Sequence, residues 1–155
     1  MATRGKAEEA IIQSNCVIWL WNNYPETRGL FFAVENEGSR LSSKLIKDSM
    51  LYIQANITKP ALVSNKCREI INMCIKGNQV AGAQARSMGV TKGVSDCLFM
   101  WNKTIYCFEF KTQIGRQSEH QVEWQKTVEN NNYEYFLIRS IDDFQKIIKK
   151  IISKI

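Results

Sequence analysis

Asp96, Glu109 and Lys111 fall in the run GVSDCLFMWNKTIYCFEFKT as an aspartate, twelve intervening residues, and then Glu-Phe-Lys. The runs 97–101 and 104–110 are dominated by aromatic, aliphatic and thiol side chains, which predicts two strands. Only Asn102-Lys103 separates them, so the prediction is a hairpin. If those two residues are the loop, Trp101 faces Thr104, and counting back along both strands sets Asp96 opposite Glu109 with Cβ atoms roughly 5 Å apart. Period-two alternation puts Lys111 on the face of Glu109. Two carboxylates and an ammonium then share a patch otherwise lined by apolar residues, and like charges so close repel unless a cation lies between them. A hard divalent ion such as Mg²⁺ suits this set, because it takes oxygen ligands from one or two carboxylates and keeps several waters. The chemistry favoured is phosphodiester hydrolysis, in which a metal-activated water attacks and an ammonium steadies the developing charge. The competing structural reading is a half-buried acid–lysine pair with no catalytic duty.

The neighbouring residues extend the pattern. Met88-Gly89-Val90-Thr91-Lys92-Gly93-Val94-Ser95-Asp96, then Phe108-Glu109-Phe110-Lys111-Thr112, then Gly115, Ser118, Gln121 and Trp124 resemble the virus-type replication-repair nuclease (VRR-NUC) family of the PD-(D/E)xK superfamily. Glu9 with Gln13, and Val34-Glu35-Asn36-Glu37-Gly38, look like that family's opening segment. The likeness is dense over residues 86–143 and thin over residues 39–85. It implies that Asp96 and Glu109 ligate Mg²⁺ or Mn²⁺, that the Phe110 carbonyl adds a ligand, that Lys111 is the catalytic lysine, and that Glu9 and Gln121 complete the pocket. It also implies an α/β fold with a restriction-endonuclease-like core, a mixed β-sheet flanked by α-helices. Ser95 stands where the superfamily pattern has proline, a position that shapes the strand entry and supplies no ligand.

The outer residues have rival readings. Ser118-Glu119-His120-Gln121 is also a capping box, in which Gln121 reaches back to the backbone of Ser118. Glu9 stands beside Glu8 in an early helical turn, where any carboxylate is favoured by the dipole, and Glu8 is the alternative counterpart. Glu37 and Asn36 follow a hydrophobic run and precede Gly38, a context in which polar residues are expected anyway.

At 155 residues the expectation is one domain, with residues 39–85 a less defined helical segment inside it. No apolar stretch is long enough to span a bilayer, and MATRGKAEEA leads straight into a helix without a signal peptide, so a soluble cytoplasmic protein that does not engage membranes is expected. Five cysteines without C-x-x-C spacing read as buried reduced thiols, and the single histidine, His120, leaves no zinc site and no histidine-pair chemistry. Walker-type and dinucleotide-binding glycine loops are absent from the sequence. The net charge of +6, from 21 basic and 15 acidic residues, favours a polyanionic partner. The resulting expectation is a metal-dependent endodeoxyribonuclease acting on DNA. The chain has no separate sequence-reading module, which favours recognition of DNA structure over base sequence; the resemblance implies branched or junction DNA in replication, repair or recombination as the substrate, with a homodimer presenting two sites. A compact free-standing nuclease of this kind would suit a phage. The alternative is a catalytically silent nucleic-acid-binding module on the same scaffold.

Around the hairpin, periodicity predicts a first helix over residues 6–21, a strand over 30–34, a helix over 41–53, and another over 63–75 ending at Gly77. A helix over 118–129 and a strand over 133–139 follow, with the turn 130–132 between them. From Ile141 onward, isoleucines recur at helical spacing with lysines elsewhere on the wheel, and Ser140 is the expected cap. Packing of that helix against the sheet or a partner subunit is the plain reading; membrane or phosphate contact are its rivals.

Overall fold

The computed structural model describes residues 2–34, 51 and 60–154. Its elements are α1 (Ala2–Asn23), a single 3-10 turn (Pro25–Thr27), β1 (Phe31–Ala33), α2 (Pro60–Ser87), β2 (Cys97–Trp101), β3 (Thr104–Phe110), α3 (Glu119–Asn130), β4 (Glu134–Ile138) and α4 (Ile141–Ile152). The chain divides into two compact units, Met1–Asn36 with Lys92–Ile155, and Glu37–Thr91.

The first unit is built on a four-stranded mixed sheet in the order β1-β2-β3-β4. β1, β2 and β3 are antiparallel, and β4 runs parallel to β3, the parallel pairing being reached through the crossover helix α3. Helices flank the sheet, as expected of the α/β class. Phe31, Phe99, Phe108, Phe110 and Ile138 point to one face, where Cys16 and Leu20 of α1 and Phe144, Ile148 and Ile151 of α4 close the core. Phe144 is the hub. Its ring meets Phe31 and Phe108 edge-on, with centroids 5.7 and 5.5 Å away, the geometry that aromatic quadrupoles favour. The isoleucine stripe of α4 is therefore spent inside the fold, and the packing reading of that helix holds. Ser140 caps it, accepting from the Asp143 amide at 3.1 Å.

The opposite face carries Leu98, Met100, Ile105, Cys107 and Glu109. The hairpin occupies the centre of the sheet, as its two apolar faces require, but the cover is uneven. Cys107 and Glu109 are buried, whereas Met100 and Ile105 near the turn stay 41% and 37% exposed. Among the described residues no helix is long and apolar enough to cross a membrane. Cys16, Cys97 and Cys107 are buried free thiols, and Cys74 is free and partly exposed.

Boundaries shift in ways that have local causes. The strand expected at residues 30–34 is confined to Phe31–Ala33, although ladder-like bonds continue past both ends, from Met100 N to Leu30 O and from Val34 N to Asp96 O, each 2.9 Å. In the second unit Gly77 does not end a helix: α2 runs from Pro60 through to Ser87. Glycine costs a helix interior about 1 kcal/mol, which neighbouring residues can absorb. The stop comes at Gly89, whose φ of +86° opens the left-handed conformation that lets Val90 N return to Ala85 O at 3.0 Å. Of the helix expected at 41–53 only residue 51 is described, as helical, and Asn36 and Glu37 lie outside the described residues.

Candidate active site

The hairpin turn sets the register that brings the acids together. Asn102 and Lys103 both take positive φ, 46° and 61°, the paired left-handed conformation of a tight hairpin turn whose twist matches the strands. Trp101 accordingly pairs with Thr104 and Cys97 with Phe108, so one further step sets Asp96 beside Glu109. The Asp96 carbonyl is fixed by Val34 N, and its side-chain Oδ2 accepts the Phe110 amide at 2.8 Å. One residue past β3, Lys111 N donates to Ile138 O at 2.9 Å and prolongs the parallel pairing. Its Nζ lies 2.5 Å from Glu109 Oε1 and 3.3 Å from the Phe110 carbonyl.

Helices supply the other two residues. Ser118 caps α3 in a complete capping box, and the Gln121 amide uses both of its ends: Oε1 accepts Ser118 N at 2.8 Å while Nε2 donates to Glu109 Oε1. One side chain thus closes the capping box and reaches Glu109. Gly93 makes this placement possible. With φ at +77°, a Cβ there would come to 2.3 Å of the His120 carbonyl carbon, so only glycine allows the β2 entry to lie against the first turn of α3. On α1, Glu9 is the acid that reaches the centre, with Oε2 4.0 Å from Lys111 Nζ, while Glu8 stays on the exposed side.

Burial dominates the electrostatics. Glu109 is 0% exposed. Enclosure first, then repulsion from Asp96, raises its pKa to about 7, against the pull of Lys111. Asp96 is also pushed above the usual carboxylate range by burial, opposed by the Phe110 amide and Lys111. Glu109 Oε1 is saturated by its two donors, whereas Oε2 is buried without any hydrogen-bond partner. An unpaired buried carboxylate oxygen is costly, and it is the kind of lone pair a hard cation takes.

Among the described residues no group of three or more histidine, cysteine, aspartate or glutamate side chains is placed to hold a metal ion. The available donor set is smaller: Asp96, Glu109 Oε2 and the Phe110 carbonyl, which fits an ion that retains most of its waters. The cysteines do not compete. Burial foremost, then the negative Asp96 next door, pushes the Cys97 thiol up to about 12, far from the thiolate a nucleophile needs. His120 sits 3.6 Å from Glu123 on an exposed turn of α3.

Three residues beyond the sequence pattern support the centre. Gln117 Nε2 donates to Gln125 Oε1 at 2.9 Å and to the Tyr135 hydroxyl at 3.4 Å. Burial, and secondly Glu109, raises the Tyr135 pKa. Arg139 Nη1 donates to the carbonyls of Thr112 and Gln113, securing the loop that follows Lys111. Nothing local announces these bonds, since Gln117 and Tyr135 are 18 positions apart and Arg139 and Thr112 are 27 apart.

A fully buried Glu109, a half-buried Asp96, a lysine and a glutamine at the end of a mixed sheet make an acidic, oxygen-rich centre. No family model and no curated protein matches the chain.

Proposed function

We propose that this chain is a divalent-metal-dependent endodeoxyribonuclease that hydrolyses phosphodiester bonds in branched DNA, using Mg²⁺ or Mn²⁺. The observation that carries the proposal is the orphaned Oε2 of fully enclosed Glu109, facing Asp96 and beside Lys111. A self-sufficient ion pair would have no reason to leave half of a buried carboxylate unsolvated. The resemblance to VRR-NUC nucleases at Asp96, Glu109 and Lys111 points the same way, and the net charge of +6 supports a polyanionic substrate.

Asp96, Glu109 and the Phe110 carbonyl would hold the ion. When bound, it supplies Lewis acidity toward a phosphoryl oxygen and makes water a better nucleophile. The chain's own groups do the rest. Lys111 carries three N–H donors on a short tether to Glu109, so one can turn to the attacking water or to a non-bridging phosphoryl oxygen and offset its growing negative charge. Glu9 stands behind the ammonium and steadies its aim. Gln121 holds Glu109 Oε1 from the first turn of α3. A homodimer would bring two such centres to the two strands of a junction.

The test is a Mg²⁺ titration of cleavage over four-way junctions, flaps and plain duplex, with Lys111→Ala alongside. Metal-dependent cutting by the wild type and none by the variant is expected. Salt-sensitive binding without turnover in either metal would replace the enzyme with a silent binding module.

A further inference from the structure

Ile114 is 92% exposed, more than any other large hydrophobic among the described residues. A single aliphatic side chain in water is ordinary on a protein surface; what distinguishes this one is how it is held and where. Residues 112–115 form a turn closed by Gly115 N donating to Thr112 O at 3.1 Å. Arg139 donates to the Thr112 and Gln113 carbonyls, and the Gln113 amide donates back to Arg139 O at 3.1 Å. The turn is therefore tied to the end of β4 in both directions. A β-branched side chain with few χ1 choices sits at its tip, so the apolar group is presented rigidly.

The tip is also next to the proposed chemistry. It lies three residues after Lys111, and a Cβ on Gly115 would stand 3.2 Å from Glu9 Oε1 and 2.9 Å from Thr112 Oγ1. Exposed Arg116 follows directly. In a regular duplex the groups nearest a scissile phosphate are sugars and phosphates, which offer an isoleucine nothing. Base faces offer it a great deal, but they are reachable only where stacking is interrupted.

We infer that Ile114 is a specificity-determining wedge that inserts against the unstacked bases of a branch point, with Arg116 on the flanking phosphate. Aliphatic wedges of this kind open base steps at a cost of a few kcal/mol in continuous duplex. At a branch the stack is already broken, so the same insertion selects DNA structure without reading sequence. The inference rests on the nuclease reading for the position of the scissile phosphate.

The experiment compares Ile114→Ala and Ile114→Leu with wild type in two assays. In the first, kcat/KM is measured on a four-way junction and on linear duplex. Ile114→Ala should lower the junction-to-duplex ratio about ten- to hundredfold, the size expected from losing a buried aliphatic contact, and Ile114→Leu should keep it. An unchanged ratio in Ile114→Ala overturns the inference. In the second, 2-aminopurine is placed at the branch point and its fluorescence followed on binding in a Lys111→Ala background. Binding should brighten it, and Ile114→Ala should abolish the change; brightening that survives Ile114→Ala, or no preference for branched DNA in binding, overturns the wedge. Absence of cleavage with any metal, together with Ile114-dependent brightening, would discard the nuclease reading and leave the wedge standing.

Discussion

Glu109 makes the stability of the metal-free protein depend on pH in an unusual direction. Its carboxyl holds a proton up to about 7 in the folded chain against an ordinary 4.5. Between those values the folded state binds a proton that the unfolded state has released. The stabilisation is therefore complete below about 4.5 and is lost as the pH rises through about 7, opposite to the usual behaviour of a paired carboxylate. At about 1.4 kcal/mol per pH unit the whole difference amounts to about 3 kcal/mol, and since the side chain is wholly enclosed, solvent screening removes little of it. A chain of this size shifts by roughly 2–4 °C per kcal/mol, so the melting temperature should fall by about 6–12 °C across the window. The titratable groups that act on Glu109 are Asp96, Lys111 and Glu9, and Tyr135 and Cys97 feel it in turn; Asp96 is also shifted upward and adds with the same sign. The assay is thermal melting in EDTA between pH 5 and 8 for wild type and Glu109→Gln. The variant's absolute stability also reflects the anion that Lys111 loses, so the slope of the difference is the diagnostic quantity. It should decline with pH, and Mg²⁺ at pH 8 should restore the wild type but not the variant. A difference that is flat or climbs with pH would show a carboxylate already satisfied without metal, and the orphaned oxygen would lose its meaning.

Removing the ammonium by Lys111→Ala, or one acid by Asp96→Ala, should cut the cleavage rate at least about a hundredfold with the circular-dichroism spectrum unchanged; full activity in either variant refutes the assignment. Gln121 allows its two duties to be separated. Gln121→Ala should lower stability by about 1 kcal/mol through the lost cap and lower activity as well, whereas Gln121→Glu keeps the cap acceptor but sets a third acid against buried Glu109, and should lose activity and melt below wild type by a margin that grows with pH. Equal activity of Gln121→Glu and wild type would reduce Gln121 to a cap. Gly93→Ala combines a positive φ with a clash on the His120 backbone and should cost about 1–3 kcal/mol, read as a lower denaturation midpoint.

The parts of the site that were legible in the sequence are those fixed by short-range rules. A two-residue interval between apolar runs determines a hairpin register, and the register alone pairs Asp96 with Glu109. A serine three residues before a glutamine determines a capping box. The rest depends on how distant elements meet. Choosing Glu9 over Glu8 needs the azimuth of α1 against the sheet, and periodicity with so weak an apolar stripe cannot supply it. Arg139 on the Thr112 carbonyl, Gln117 on Tyr135 and the contact at Gly93 all bridge elements far apart in the chain, where the sequence carries no spacing signal. Gly77 misled because a glycine's preference for helix ends is a propensity that packing can override, whereas Gly89 stops the same helix through an actual left-handed turn.

Charge counting explains why such a centre would be kept in so enclosed a place. Glu9, Asp96 and Glu109 face one Lys111, so full ionisation leaves two uncompensated negative charges around the fully enclosed Glu109. The chain can relieve this by keeping a proton, which is what the raised carboxyl pKa of Glu109 expresses, or by taking up a divalent cation, which cancels the excess. The second course leaves a nearly neutral pocket at the start of α3, where the helix dipole favours an incoming anion. A phosphodiester brings one negative charge to that place. On the proposed reading, the two acids that repel one another are the same groups that would create the affinity for metal, and the first turn of α3 would then favour the phosphate over the solvent it displaces.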